Sequence, residues 1–105
     1  MAIPLPTWYT RGGRFMFDWD EHNERHVARH RVTKGEIRQA FADPLRLGRA
    51  LGVVDREGRH VLIGATRDGR VIRTIYTWRG GKIRPVTAYP IRRGAEFRAY
   101  RDQPR

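Results

Sequence analysis

Three β-rich runs punctuated by two glycine-containing dipeptides constrain this chain more than any other feature. Residues 59–66, 71–78 and 82–89 are rich in β-branched and aromatic side chains, and Asp68-Gly69 and Gly80-Gly81 separate them. Both dipeptides suit two-residue hairpin turns, whose central positions need positive φ. The pattern therefore predicts an antiparallel meander. Turns of that length place His60, Thr77 and Arg84 in one cross-strand row, with Gly64, Arg73 and Ala88 in another on the same face and Leu62, Ile75 and Val86 between them. Val61, Ile63, Ile72, Tyr76, Trp78 and Ile83 then share the opposite face, the one expected to pack on helices. A slip of one residue would exchange the faces.

Helical signals precede the meander. The segment RFMFDW over residues 14–19 suits a short strand, and Asp20 is placed to N-cap a helix over 21–30, with Glu21 and Glu24 in its first turn and Arg29 and Arg31 near its end. Thr33, with Glu36 three residues on, has capping-box spacing for a second helix. Ile37, Ala40 and Phe41 form its apolar stripe, and Asp43-Pro44 ends it. A loop through Gly48 and Gly52 leads to the strands. Residues 91–101, with Glu96, Phe97 and Tyr100, suit a short terminal helix, and residues 1–14, broken by Pro4, Pro6, Gly12 and Gly13, read as an irregular arm. The expected organisation is that arm and one domain over 15–105, since 105 residues suit a single folded unit.

Charge indicates what such a domain binds. Lys and Arg number 22 against 11 Asp and Glu, and 20 of the 22 cations are arginine, whose planar fork grips phosphate bidentately. The excess is uneven. Residues 17–44 hold five cations and six anions, whereas residues 45–105 hold fifteen cations and five anions. An anionic partner, nucleic acid above all, is therefore expected on the C-terminal part. The absence of cysteine removes disulfides, thiolate nucleophiles and Cys-based zinc sites. No apolar run approaches membrane-spanning length, and residues 2–5 are too short and too Pro-broken for a signal peptide, so the cytoplasm is the expected compartment and no membrane partner is expected.

His22, His26 and His30 recur every four residues, a spacing that lets neighbours chelate a metal on one helix face. All three together span about 12 Å of helix, too far for one ion. The plainer reading makes His22 exposed and His30 a packing residue at the helix end, and no metal site is assigned. Trp8, Trp19 and Trp78 are able to stack on bases, but packing is the expected role of Trp19 and Trp78.

Several segments in order resemble one family. FDWDEHNERHVARHRV, a short helix ending FADP, HVLIGATRDGR, and TWRGGKIRPVTA with an Arg-rich tail carrying Glu96 and Tyr100 are similar to the BrnT family of small bacterial toxins, over residues 15–101. The resemblance implies a RelE-like α+β fold: an antiparallel sheet, two N-terminal helices packed on one face and a short C-terminal helix. It also implies cofactor-free, metal-independent endoribonuclease activity that inhibits translation. Its implied partners are RNA and a BrnA-like antitoxin whose ribbon-helix-helix region binds operator DNA, which the toxin meets only through that antitoxin. Trp19, Asp20, Asn23 and His30 correspond to the family's opening strand and helix, Arg79 to its turn arginine and Arg84 to its strand arginine. Two departures stand out. Thr87-Ala88-Tyr89-Pro90 replaces a Ser-Ala-Arg type segment, and His60 and Arg73 fall where the family is more often apolar.

The chemistry narrows the candidates. Metal-free RNA cleavage uses the neighbouring 2′-hydroxyl as nucleophile, so a site must accept its proton, stabilise phosphate charge and protonate the leaving oxygen. Arg84, with Arg73 or Arg79, is expected to hold the phosphate, and His60 to serve as acid or base, histidine being the side chain suited to that work near neutral pH. Tyr89 or Tyr100 is the alternative proton source. Arg67, Arg70, Lys82, Tyr89, Arg92 and Arg93 are the expected RNA contacts. A non-catalytic RNA-binding or ribosome-associated module has the same charge signature, and cleavage in excess EDTA separates the two readings.

Overall fold

Among the described residues, two capping boxes start the first two helices. Asp20 Oδ1 accepts from the Asn23 N–H at 3.0 Å and Asn23 Oδ1 from the Asp20 N–H at 2.8 Å, launching α1 over Glu21–Arg29. Thr33 and Glu36 exchange the same pair of bonds, each 3.0 Å, at the start of α2 over Lys34–Ala42. Each box satisfies N–H groups that a helix start leaves without partners. This computed structural model describes residues 15–49 and 58–104; the expected arm over 1–14 with Trp8, and Gly52 of the expected loop, lie outside the described residues.

Asn23 is buried, and its Nδ2 donates to the carbonyls of Asp18 at 3.0 Å and Pro85 at 2.9 Å, tying the start of α1 to the sheet. Asp43, the expected stop of α2, does more than end it. Its Oδ1 accepts from Leu45 N–H at 2.9 Å, and its Oδ2 accepts from Ala65 N–H at 2.8 Å and from the Tyr100 hydroxyl. One carboxylate thus joins α2, the sheet and the last helix.

The sheet is antiparallel with strand order β1-β2-β3-β4, formed by Leu47–Arg49, His60–Ala65, Val71–Arg79 and Lys82–Pro90. Ala95–Arg101 forms α3. The α+β fold with two N-terminal helices and a short C-terminal one is as expected. Two element assignments differ. Gly48 belongs to a strand, pairing with Leu62 rather than lying in a loop. Residues 14–19 do not make a strand among the described residues: Phe17 forms one parallel bridge to Ile83, backed by Asp18 N–H to Ile83 O at 2.7 Å and Ile83 N–H to Met16 O at 2.9 Å, before the chain turns to cap α1.

The first hairpin corrects the expected register. Asp68-Gly69 is not a two-residue turn. Thr66 N–H bonds Arg70 O at 2.8 Å, closing a three-residue loop whose last member, Gly69, takes φ +89°. Loops of this length place a left-handed residue, commonly glycine, at their end. His60 therefore pairs with Tyr76 instead of Thr77, and all of β2 turns over. Gly80-Gly81, by contrast, is the expected two-residue turn, with φ of +59° and +74° and Arg79 opposite Lys82. Thr77 faces Arg84 as expected, and Tyr76 faces Pro85. Ile75 then faces Thr87, so Val86 is the extra residue of a β-bulge, which moves Ala88 to the other face.

Two cores result. Leu62, Ile72, Tyr76, Ile83 and Ala88 pack with Phe15, Val27, Ile37, Ala40 and Phe41 beneath α1 and α2, flanked by Phe17, Trp19 and Trp78. Val61, Ile63 and Val71 pack with Tyr100, Phe97 and Ile91 beneath α3 on the opposite face. Ile72, Tyr76, Trp78 and Ile83 thus lie where the sequence placed them, whereas Val61 and Ile63 exchange faces with Leu62. Gly64 seats α2 on β2: a Cβ there would stand 2.2 Å from the Ala40 carbonyl oxygen. Among the described residues no helix is long and apolar enough to cross a membrane.

Candidate functional site

Strand alternation gathers the chemistry on the face opposite α1 and α2. Along β3 that face carries Arg73, Ile75, Thr77 and Arg79, and across the ladder it meets Tyr89, Thr87, Arg84 and Lys82. Because α3 packs over β2 and the start of β3, the β3–β4 half remains accessible, with Arg73, Ile75, Thr77, Arg84, Thr87 and Tyr89 all half-buried.

At one end of this strip, two carboxylates from the segment before α1 meet two guanidinium groups. Arg79 Nε donates to Asp18 Oδ2, and Arg79 Nη2 lies 3.6 Å from Asp20 Oδ2. Arg84 Nη1 lies 2.8 Å from the same Asp20 oxygen as an ion pair. Arg84's side chain is only 16% exposed while Arg79's is 56% exposed, so the first is fixed and the second reaches into solvent. The Asn23 N–H and then Arg84 hold the Asp20 carboxyl down at about 2. Arg79 likewise lowers Asp18, whose carboxylate in turn raises Arg79. Both carboxylates are ionised at neutral pH, so each arginine is paired and preorganised.

At the other end Arg73 Nε donates to Glu96 Oε1 at 2.6 Å, and its Nη1 donates to the Tyr89 hydroxyl at 2.7 Å. Burial works against the charge of Arg73, but Glu96 and Tyr89 outweigh it and raise its pKa. The His30 ring, at the C-cap of α1, lies 5.7 Å from the Tyr89 ring, centroid to centroid.

The other expected residues are dispersed. His60 stacks on Tyr76 at 5.5 Å, on the face of α1 and α2, away from Arg84. The expected row joining His60 to Arg84 does not form, because the three-residue loop turns β2 over. Arg70 pairs with Glu36 and donates to Arg31 O at 3.3 Å, bracing the β2–β3 loop against α2. Arg67 is exposed in that loop, its N–H bonded to Gln39 Oε1 at 2.9 Å. Lys82 is exposed beside the Gly80-Gly81 turn, and Arg92 and Arg93 are exposed between β4 and α3. Tyr100, the alternative proton source, is buried with its hydroxyl donated to Asp43.

Sequence reasoning missed Asp18, Glu96 and the ion-pair role of Asp20, which it read as a cap alone. For Glu96, a lone acid in an arginine-rich tail was the available signal, since a carboxylate among arginines has partners to find. His22 and His26 lie ring to ring at 5.0 Å on the exposed side of α1. Among the described residues, no three His, Asp or Glu side chains come together as metal ligation requires.

The family described as "Ribonuclease toxin, BrnT, of type II toxin-antitoxin system" matches residues 19–94. The match takes in Asp20, Arg73, Arg79, Arg84 and Tyr89 and stops short of Glu96. No curated protein matches the chain.

Proposed function

The chain belongs to the BrnT family of ribonuclease toxins of type II toxin-antitoxin systems, and from that premise we propose that it is a metal-independent endoribonuclease which binds RNA along the β3–β4 face and inhibits translation. RNA substrate and an antitoxin partner come with the family; the remainder is our reading. One observation carries it: Arg73, Arg79 and Arg84 share the sheet face that α1 and α2 leave open. Cations fixed on a sheet stabilise phosphate charge without reorganising as it builds.

In this reading the 2′-oxygen attacks phosphorus, the bond to the 5′ oxygen breaks, and the products are a 2′,3′-cyclic phosphate and a 5′-hydroxyl. Arg84 and Arg79 hold one phosphate, Arg73 another, and Lys82, Arg92 and Arg93 extend the track at either end. Arg67 and Arg70 steer RNA from the β2–β3 loop. The antitoxin is of BrnA type, carries a ribbon-helix-helix DNA-binding region and lays an acidic or amphipathic segment over the strip; the toxin meets operator DNA only through it. The compartment is the cytoplasm.

Purified protein freed of antitoxin should cleave RNA in excess EDTA and leave 2′,3′-cyclic phosphate ends. Tight RNA binding without any cleavage would replace this reading with that of a non-catalytic RNA-binding module.

A further inference from the structure

Four side chains from four separate elements converge at the Arg73 end of the strip: His30 from the C-cap of α1, Arg73 from β3, Tyr89 from β4 and Glu96 from the first turn of α3. Their hydrogen-bond accounting leaves specific groups unspent. A guanidinium has five N–H donors. Arg73 commits one to Glu96 and one to Tyr89, and among the described residues Nη2 has no partner. The Tyr89 oxygen accepts from Arg73, so its own O–H proton is free to be donated elsewhere. Tyr100 has no such freedom, being buried against Asp43.

We propose that Tyr89 donates the proton to the leaving 5′ oxygen and His30 accepts the 2′-hydroxyl proton, while Arg73, held in place by Glu96, binds the phosphate beside them. This assignment rests on the ribonuclease reading above. As the P–O2′ bond forms, the 2′ proton passes to a neutral His30 nitrogen. As the P–O5′ bond breaks, its electron pair stays on the 5′ oxygen, which takes the Tyr89 proton. Solvent then reprotonates the phenolate and deprotonates the imidazolium. Acid and base must each reach within roughly 3 Å of their own oxygen of the reacting phosphate; the His30 and Tyr89 rings are packed neighbours, 5.7 Å centroid to centroid, so both groups serve a phosphate seated at their polar edges on Arg73.

Glu96 is the positioning residue. Its bond to Nε fixes the plane of the Arg73 guanidinium. The helix that carries it is pinned at its far end by Tyr100 to Asp43 and by Gln103 Nε2 to Leu45 O at 2.8 Å. The phosphate cation is therefore braced by two elements.

The test is single-turnover cleavage of a short RNA in excess EDTA, alongside binding of the same strand with 2′-O-methyl groups, which cannot react. Tyr89→Phe keeps the ring and should lower cleavage about a hundredfold while leaving that binding within about twofold of wild type. On RNA with sulfur in place of the bridging 5′ oxygen, whose thiolate leaves without a proton, Tyr89→Phe should approach the wild-type rate. His30→Asn should stay slow on both substrates. Glu96→Ala should slow both, and Glu96→Gln, whose amide oxygen still accepts from Nε, should recover part of the loss. Tyr89→Phe cleaving ordinary RNA at the wild-type rate, or slowed equally on both substrates, would overturn the assignment while the ribonuclease reading stood. Wild type that binds but never cleaves would overturn both.

Discussion

Arg84 Nη1 stands 2.8 Å from Asp20 Oδ2, while the other oxygen of the same carboxylate caps α1. One side chain therefore both starts a helix and steadies the guanidinium of a neighbouring strand. A preorganised cation on a neighbouring phosphate holds the strand in register for attack at Arg73, and a misplacement of about 1 Å costs about a hundredfold in rate. Arg84→Ala should lower single-turnover RNA cleavage by about that factor with an unchanged circular dichroism spectrum. Arg84→Lys should recover only part, because the bidentate fork is lost. Cleavage by Arg84→Ala within about twofold of wild type would remove Arg84 from the RNA track.

Asp20 also makes stability depend on acid. Folding lowers its carboxyl from the ordinary 3.8 to about 2, so its contribution is complete above the ordinary value and is lost as pH falls through about 2. Asparagine caps a helix about as well as aspartate, so Asp20→Asn isolates the charge. Wild type should melt higher than Asp20→Asn at neutral pH, and thermal scans at decreasing pH should show that advantage disappear. An advantage that persisted at the lowest pH would show that the ion pair is not its source.

Gly64 is a packing requirement rather than a turn. An added Cβ would collide with the Ala40 backbone, 2.2 Å away, and α2 would have to lift from β2. Gly64→Ala should cost about 1–3 kcal/mol in denaturant unfolding. An unchanged midpoint would mean that α2 does not sit so close to the strand.

The register of the first hairpin separates His60 from the arginines. His60→Ala should accordingly reduce cleavage far less than Arg84→Ala does, in the same single-turnover assay. Equal losses would return His60 to the site and call for a different pairing of β2 with β3.

An antitoxin that masks the arginine strip should associate through long-range attraction. Its association rate should fall several-fold between about 0.05 and 0.5 M salt. Cross-links confined to residues 1–44, with the β3–β4 face still open to RNA, would exclude this mode of neutralisation.

Local chemistry was legible in the sequence wherever a few neighbouring residues decide the outcome. The Asp20 and Thr33 caps, the Asp43-Pro44 stop and the Gly80-Gly81 turn each depend on contacts within four residues, and each occurs where the sequence indicated. Thr77 opposite Arg84 followed from that turn alone. What needed the tertiary structure was every choice between near-equal local solutions. Asp68-Gly69 suits both a two-residue and a three-residue loop, and the burial of Leu62 under α2 with Val61 and Ile63 under α3 selects the longer one. Pro85 beside the bulge marks an edge strand or a bulge, but only packing decides that Val86 is the extra residue, so that Ala88 turns inward while Tyr89 meets Arg73. Likewise Asp18 and Glu96 lie 61 and 23 residues from the arginines they hold. Chain distance hides such pairs, and only packing two cores against opposite faces of one sheet brings them together.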